Sequence, residues 1–94
     1  MIRIMTATKR NGTTITVDGR VTAEYVGTID TVVRQAIERG GPVRLYLRDV
    51  STIDRSGRAL LDRLAAKGVR LSATGIYSSY VVGEISRSAA RSAA

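Results

Sequence analysis

Val43-Arg44-Leu45-Tyr46-Leu47-Arg48-Asp49-Val50-Ser51-Thr52-Ile53-Asp54-Arg55-Ser56-Gly57-Arg58-Ala59-Leu60-Leu61-Asp62-Arg63-Leu64 carries two hydrophobic periods in succession. Val43, Leu45 and Leu47 alternate with Arg44, Tyr46 and Arg48, the pattern of a half-buried strand. Gly57, Leu60, Leu61, Leu64, Ala65 and Gly68 then fall on one helical stripe, with Arg58, Asp62, Arg63 and Lys67 away from it. Between them, Asp49-Val50-Ser51-Thr52 reads as a connection and Ile53-Asp54-Arg55-Ser56-Gly57-Arg58 as a strand-to-helix turn. Such a turn leaves the N–H groups of the first helical turn without intrahelical partners. Here they lie next to an acid, a hydroxyl and two arginines.

Upstream, Ile2 to Thr8 alternates weakly, and Thr13 to Asp18 is rich in β-branched residues, with Ile15 and Val17 facing one way and Thr14 and Thr16 the other. Asn11-Gly12 between them predicts an antiparallel hairpin with both residues at the central turn positions, because both tolerate positive φ. After Gly19-Arg20-Val21, Thr22 is placed to cap a long helix with Glu24 in its first turn. Val26, Ile29, Val33 and Ile37 recur at helical spacing until Gly40-Gly41-Pro42 ends the run. Downstream, Gly68 closes the second helix, and Val69, Leu71 and Ala73 alternate in a fourth strand. Ile76 to Ile85 reads as either a helix or a fifth strand; helix is preferred, since the fourth strand otherwise lacks cover. Tyr77 and Tyr80 then become core or rim residues at helical spacing. Arg87-Ser88-Ala89-Ala90 is repeated as Arg91-Ser92-Ala93-Ala94, with no large apolar residue to pack, so 87–94 is expected to be a flexible tail beyond a domain of residues 1–86.

The order β-β-α-β-α-β-α predicts a single α/β domain built on a mixed four-stranded sheet. Every strand alternates apolar with polar, whereas a parallel sheet covered on both faces reads as continuous apolar runs. The helices are therefore expected mainly on one face. The other displays Arg3, Thr14, Thr16, Arg44, Tyr46, Arg70, Ser72 and Thr74.

Ninety-four residues suit one domain with a modest core. With neither Cys nor His, the chain has no thiolate or imidazole metal site, no cysteine nucleophile and no Ser-His-Asp relay. Asp49 with Asp54 is a weak pattern for a hard cation. No catalytic residues, metal or cofactor are expected, and an enzyme is not. Neither a leader peptide nor an apolar run of membrane-spanning length is visible, so no membrane insertion and a cytoplasmic location are expected. The formal charge of +7, from 15 Lys plus Arg against 8 Asp plus Glu, favours acidic partners. The arginines are scattered along the chain rather than clustered as a nucleic-acid footprint would be.

The run from Leu45 to Leu61, with its Ile53-Asp54-Arg55-Ser56-Gly57-Arg58 turn, resembles the signature of STAS domains, the family of bacterial anti-sigma factor antagonists, in which a V-x-L-D-L strand ends in I-D-S-S-G-L and enters a helix. The similarity extends in order over roughly residues 13 to 85. It implies a STAS-like fold and a non-enzymatic protein-binding module acting in signal transduction and transcription regulation. It also implies that the serine before the motif glycine, Ser56, is a phosphoacceptor for a partner anti-sigma factor with kinase activity. A phosphate there would add roughly −1.5 to −2 charge at a helix N-terminus without refolding the domain. The chain resembles a divergent member: Tyr46 stands where the family carries the mid-strand acid, and Arg55 and Arg58 stand where it carries a serine and a leucine.

The expected docking surface is the loop and helix around Asp54, Arg55, Ser56, Gly57 and Arg58, toward a protein partner with an acidic surface. Asp54 or Ser56 could equally serve only as a helix cap, and Gly57 reads as a site of close helix–strand approach. Two other functions stay open. One is a non-regulatory STAS subunit of an ATPase or lipid-transport assembly; the other, least favoured, is nucleic-acid binding by the basic sheet face. A homo-oligomer is not decided by the sequence.

Overall fold

In the computed structural model, the backbone is described for residues 2–93 and side-chain surroundings for residues 2–88. The elements are β1 (Ile2–Lys9), β2 (Gly12–Val21), α1 (Ala23–Arg39), β3 (Val43–Ile53), α2 (Arg55–Ala66), β4 (Arg70–Ala73) and α3 (Ile76–Ala93). They form an α/β domain on one sheet of order β1-β2-β3-β4, antiparallel between β1 and β2 and parallel thereafter. The segment after Gly75 is a helix, as preferred because the fourth strand needs cover. Its helical backbone runs past residue 86 to Ala93, and the side chains of the expected tail from residue 89 onward lie outside the described residues.

The sheet is two-sided in character, as the alternation requires. Ile15, Val17, Val21, Leu45 and Leu47 are buried beneath the helices, together with Ile29 and Val33 of α1, Leu60, Leu61 and Leu64 of α2, and Val81, Val82 and Ile85 of α3. Arg44 and Arg70 are exposed on the opposite face, and Thr14, Thr16, Tyr46 and Ser72 are half-buried there. Burying one of the larger aliphatic side chains is worth ~1.5–3 kcal/mol, so this single apolar layer dominates the fold's stability.

Three details differ from the sequence reading. The hairpin is present, but Lys9 pairs with Gly12, so Arg10 and Asn11 occupy the turn and only Gly12 has positive φ. A Cβ on Gly12 would also lie 2.5 Å from the Pro42 carbonyl oxygen, which accepts from the Thr13 N–H. Second, Asp49 to Ile53 is strand rather than connection. Its pairing with β2 steps from Val17↔Leu47 to Asp18↔Asp49 and from Gly19↔Val50 to Arg20↔Thr52, leaving Arg48 and Ser51 as extra residues on β3. Such bulges break strict alternation, which hides the strand from a period-two search while returning Val50 and Ile53 to the core. Third, Thr22 sits at the N-cap of α1 but its hydroxyl makes no capping bond.

The close of α2 is governed by Gly68, at φ +93°. The Val69 N–H donates to the Leu64 carbonyl and the Gly68 N–H to that of Ala65, a Schellman ending. This turns the chain directly into β4.

β4 spans only four residues and covers β3 from Arg44 to Leu47. Beyond it, side chains of Thr74 and the first turn of α3 take over the pairing. The Thr74 hydroxyl donates to the Arg48 carbonyl, the buried Ser78 hydroxyl to that of Val50, and Tyr77 accepts from the Ile53 N–H while donating to the Ile53 carbonyl. Tyr77 is thus a rim residue with a specific task, a two-way clamp on the last residue of β3. Tyr77→Phe removes both bonds and leaves a part-buried N–H and C=O unpaired, an expected loss of about 1–3 kcal/mol in urea unfolding. An unchanged midpoint would contradict the clamp.

Candidate functional site

The candidate site lies where β2 and β3 end and α1 and α2 begin, the carboxyl edge at which open α/β sheets characteristically place their sites. Asp54 holds this corner together. One carboxylate oxygen accepts from the Gly57 N–H at 2.7 Å, capping α2, and the other accepts from the Ala23 N–H at 2.9 Å, capping α1. One side chain therefore serves the first turns of two helices, while the Thr22 hydroxyl makes no capping bond. The Gly57 N–H, then that of Ala23, with a smaller contribution from Ser56, holds the Asp54 carboxyl below the ordinary aspartate range.

Gly57 is buried, and its role is steric. A Cβ there would lie 2.0 Å from the Val21 carbonyl oxygen and 2.9 Å from its side chain. The same carbonyl accepts from the Asp54 N–H at 3.2 Å. The end of β2 is thus pressed directly against the first turn of α2, the close approach that the sequence suggested.

The remaining members of the motif are on the surface. Arg55, Ser56 and Arg58 are exposed, with Ser56 in the first turn of α2. Asp54 supplies the side-chain cap, so the alternative in which Ser56 is the cap does not apply; the Ser56 hydroxyl stands free for other chemistry. Arg58 is engaged by Glu84 of α3 at 3.0 Å, and Glu84 in turn approaches the Tyr80 hydroxyl at 3.5 Å.

These groups border a cleft of about 390 Å³ between the start of α2 and the first turns of α3, walled by Ile53, Arg55, Arg58, Tyr77, Tyr80 and Val81. Beside it α3 exposes large apolar surface: Tyr80 is 63% and Ile76 94% accessible. Sequence reasoning missed this half of the site. Its signal is the pair Ile76 and Tyr80, four apart on one helical face that nothing in the chain needs to cover. Among the described residues no group of three or more Asp, Glu, His or Cys side chains is gathered to hold a metal ion. Among the same residues no helix is long and apolar enough to cross a membrane.

No protein-family model matches the chain, and no curated protein matches it.

Proposed function

We propose that the protein is a STAS-like, non-enzymatic docking module of the cytoplasm, binding a regulatory protein partner through the first turn of α2 and the adjoining face of α3. The observation that carries this reading is the double cap by Asp54. It anchors the motif loop from beneath through backbone groups, so Arg55 and Ser56 are presented outward on a rigid support rather than being consumed in building it, with Arg58 held beside them by Glu84 of α3. Preorganised surfaces of this kind bind without a large ordering cost. The partner that fits combines an apolar anchor for Ile76 and Tyr80 with an acidic group for Arg55.

Ser56 is the modification point of this reading. A phosphoryl group at an exposed position in the first turn of α2 gains from the helix dipole and from arginines on either side. It would place a dianion in the middle of the proposed contact and alter affinity electrostatically.

Capture from lysate with ATP, followed by phosphosite mapping, tests both parts. Arg55→Glu and Tyr80→Ala are each expected to abolish capture of the bound partner, while phosphate accumulates on Ser56 and Ser56→Asp changes capture. Capture unaffected by both Arg55→Glu and Tyr80→Ala would remove the docking surface. An unmodified Ser56 with indifferent Ser56→Asp would remove only the switch, and stable co-purification with an ATPase insensitive to Ser56→Ala would favour the structural-subunit role.

A further inference from the structure

At the opposite end of the sheet, the open face carries a second concavity that the docking reading does not use. The strand register sets Ala7, Thr14, Arg44 and Arg70 side by side across β1, β2, β3 and β4. The side chains of Ala7 and Thr14 are short, so the row falls away from the two arginines. Lys9 and Asn11 at the hairpin complete an open cavity of about 650 Å³, within the range of small-ligand sites.

The cavity is of one sign. Lys9, Arg44 and Arg70 line it and no carboxylate does. Among the described residues the ion pairs are Arg34–Asp30, Arg48–Asp18 and Arg58–Glu84, which engage none of these three cations. Arg44 and Arg70 are register partners on adjacent parallel strands, whose axes lie roughly 4.8 Å apart. Like charges placed opposite one another weaken a sheet. An anion lying between them reverses that sign, and the guanidinium fork matches paired phosphate oxygens. The Asn11 amide and Thr14 hydroxyl add neutral donors at the cavity wall.

We propose that this cavity binds the oligophosphate group of a small ligand, gripped by Arg44 and Arg70 and closed on the hairpin side by Lys9. The site is independent of the docking corner, since it is built on the beginnings of β3 and β4 rather than on the end of β3.

Titration calorimetry of the full chain with inorganic triphosphate, at about 0.15 M ionic strength, tests it. Saturable one-to-one binding is expected, with a rise in Tm on adding triphosphate. Arg44→Gln and Arg70→Gln should each weaken it roughly tenfold or more, whereas Arg63→Gln on the exposed side of α2 should leave it unchanged. Without ligand, either cavity variant should be at least as stable as the parent, because it relieves the repulsion; this also shows that lost binding is not lost folding. Absence of saturable binding overturns the proposal, as does binding indifferent to Arg44→Gln and Arg70→Gln. Preference for a single-stranded oligonucleotide over triphosphate overturns it too, in favour of an extended polyanion track.

Discussion

Gly57→Ala is expected to destabilise the domain by about 1–2 kcal/mol net, although helix propensity alone predicts the opposite sign. Ala in place of Gly inside a helix gains ~1 kcal/mol, and Gly57 has no positive φ that would penalise a side chain. The steric term decides the outcome. A Cβ at 2.0 Å from the Val21 carbonyl oxygen cannot be relieved by rotating a side chain, because its neighbour is backbone. The start of α2 must withdraw from the end of β2, weakening the Val21–Asp54 bond and the double cap with it. Gly27→Ala in α1 is the matched control: its Cβ meets nothing within 4 Å, so it should stabilise by about 0.5–1 kcal/mol. Urea unfolding of the two variants checks both signs at once. Equal stabilisation by both would show that the approach of β2 to α2 is looser than described.

Asp54→Asn should lower Tm by several degrees and remove a component of acid sensitivity. An amide has one acceptor oxygen where the carboxylate has two. Asparagine can therefore cap α2 or α1 but must turn its NH2 toward the other N–H donor. The pH dependence follows from the depressed carboxyl of Asp54 in the folded chain. Its stabilisation is fully present above the ordinary aspartate value of 3.8 and is lost as pH falls through the lower folded-state value. The Tm gap between parent and Asp54→Asn should hence be constant at neutral pH and shrink on acidification below that point. Asp18, whose carboxyl is lowered by its hydrogen bond with Arg48, titrates in the same direction in both proteins, so the difference isolates Asp54. A gap independent of pH down to 3, well below the ordinary value, would mean that the double cap contributes no net charge-dependent stability.

Much of the architecture is written in local patterns. The alternation of Val43, Leu45 and Leu47, the stripe of Leu60, Leu61 and Leu64, and the glycines at the helix ends each depend on neighbours within a turn or two. That the helices sit on one face also follows from alternation, since polar partners occupy every second position of β2 and β3. Asp49 to Ile53 escaped the same logic because Arg48 and Ser51 are inserted against β2, and a bulge exists only relative to a partner strand.

The candidate corner divides in the same way. A cap by Asp54 on its own helix is a relation across three residues and could be read directly. Its bond to Ala23 spans 31 residues and depends on β2 and β3 lying parallel with Val21 beside Ile53. Thr22, equally suited by type and position, offered no local reason to be passed over. The Tyr77 phenol was opaque for a further reason, because its task arises only where β4 stops short. The Arg44–Arg70 juxtaposition likewise needs the β3–β4 register; along the chain those arginines look scattered.

The shortness of β4 bears on how the molecule avoids self-association. An uncovered strand end offers its amides and carbonyls to any extended chain, and from Arg48 onward β3 would be such an end. Thr74, Tyr77 and Ser78 occupy those groups with side chains, which satisfy hydrogen bonds but offer no continuing backbone ladder onto which another strand could grow. The start of α3 is in this sense a guard as well as a wall of the candidate cleft. Local unfolding that lifts it would open a second templating edge, on β3, besides the outer edge of β1.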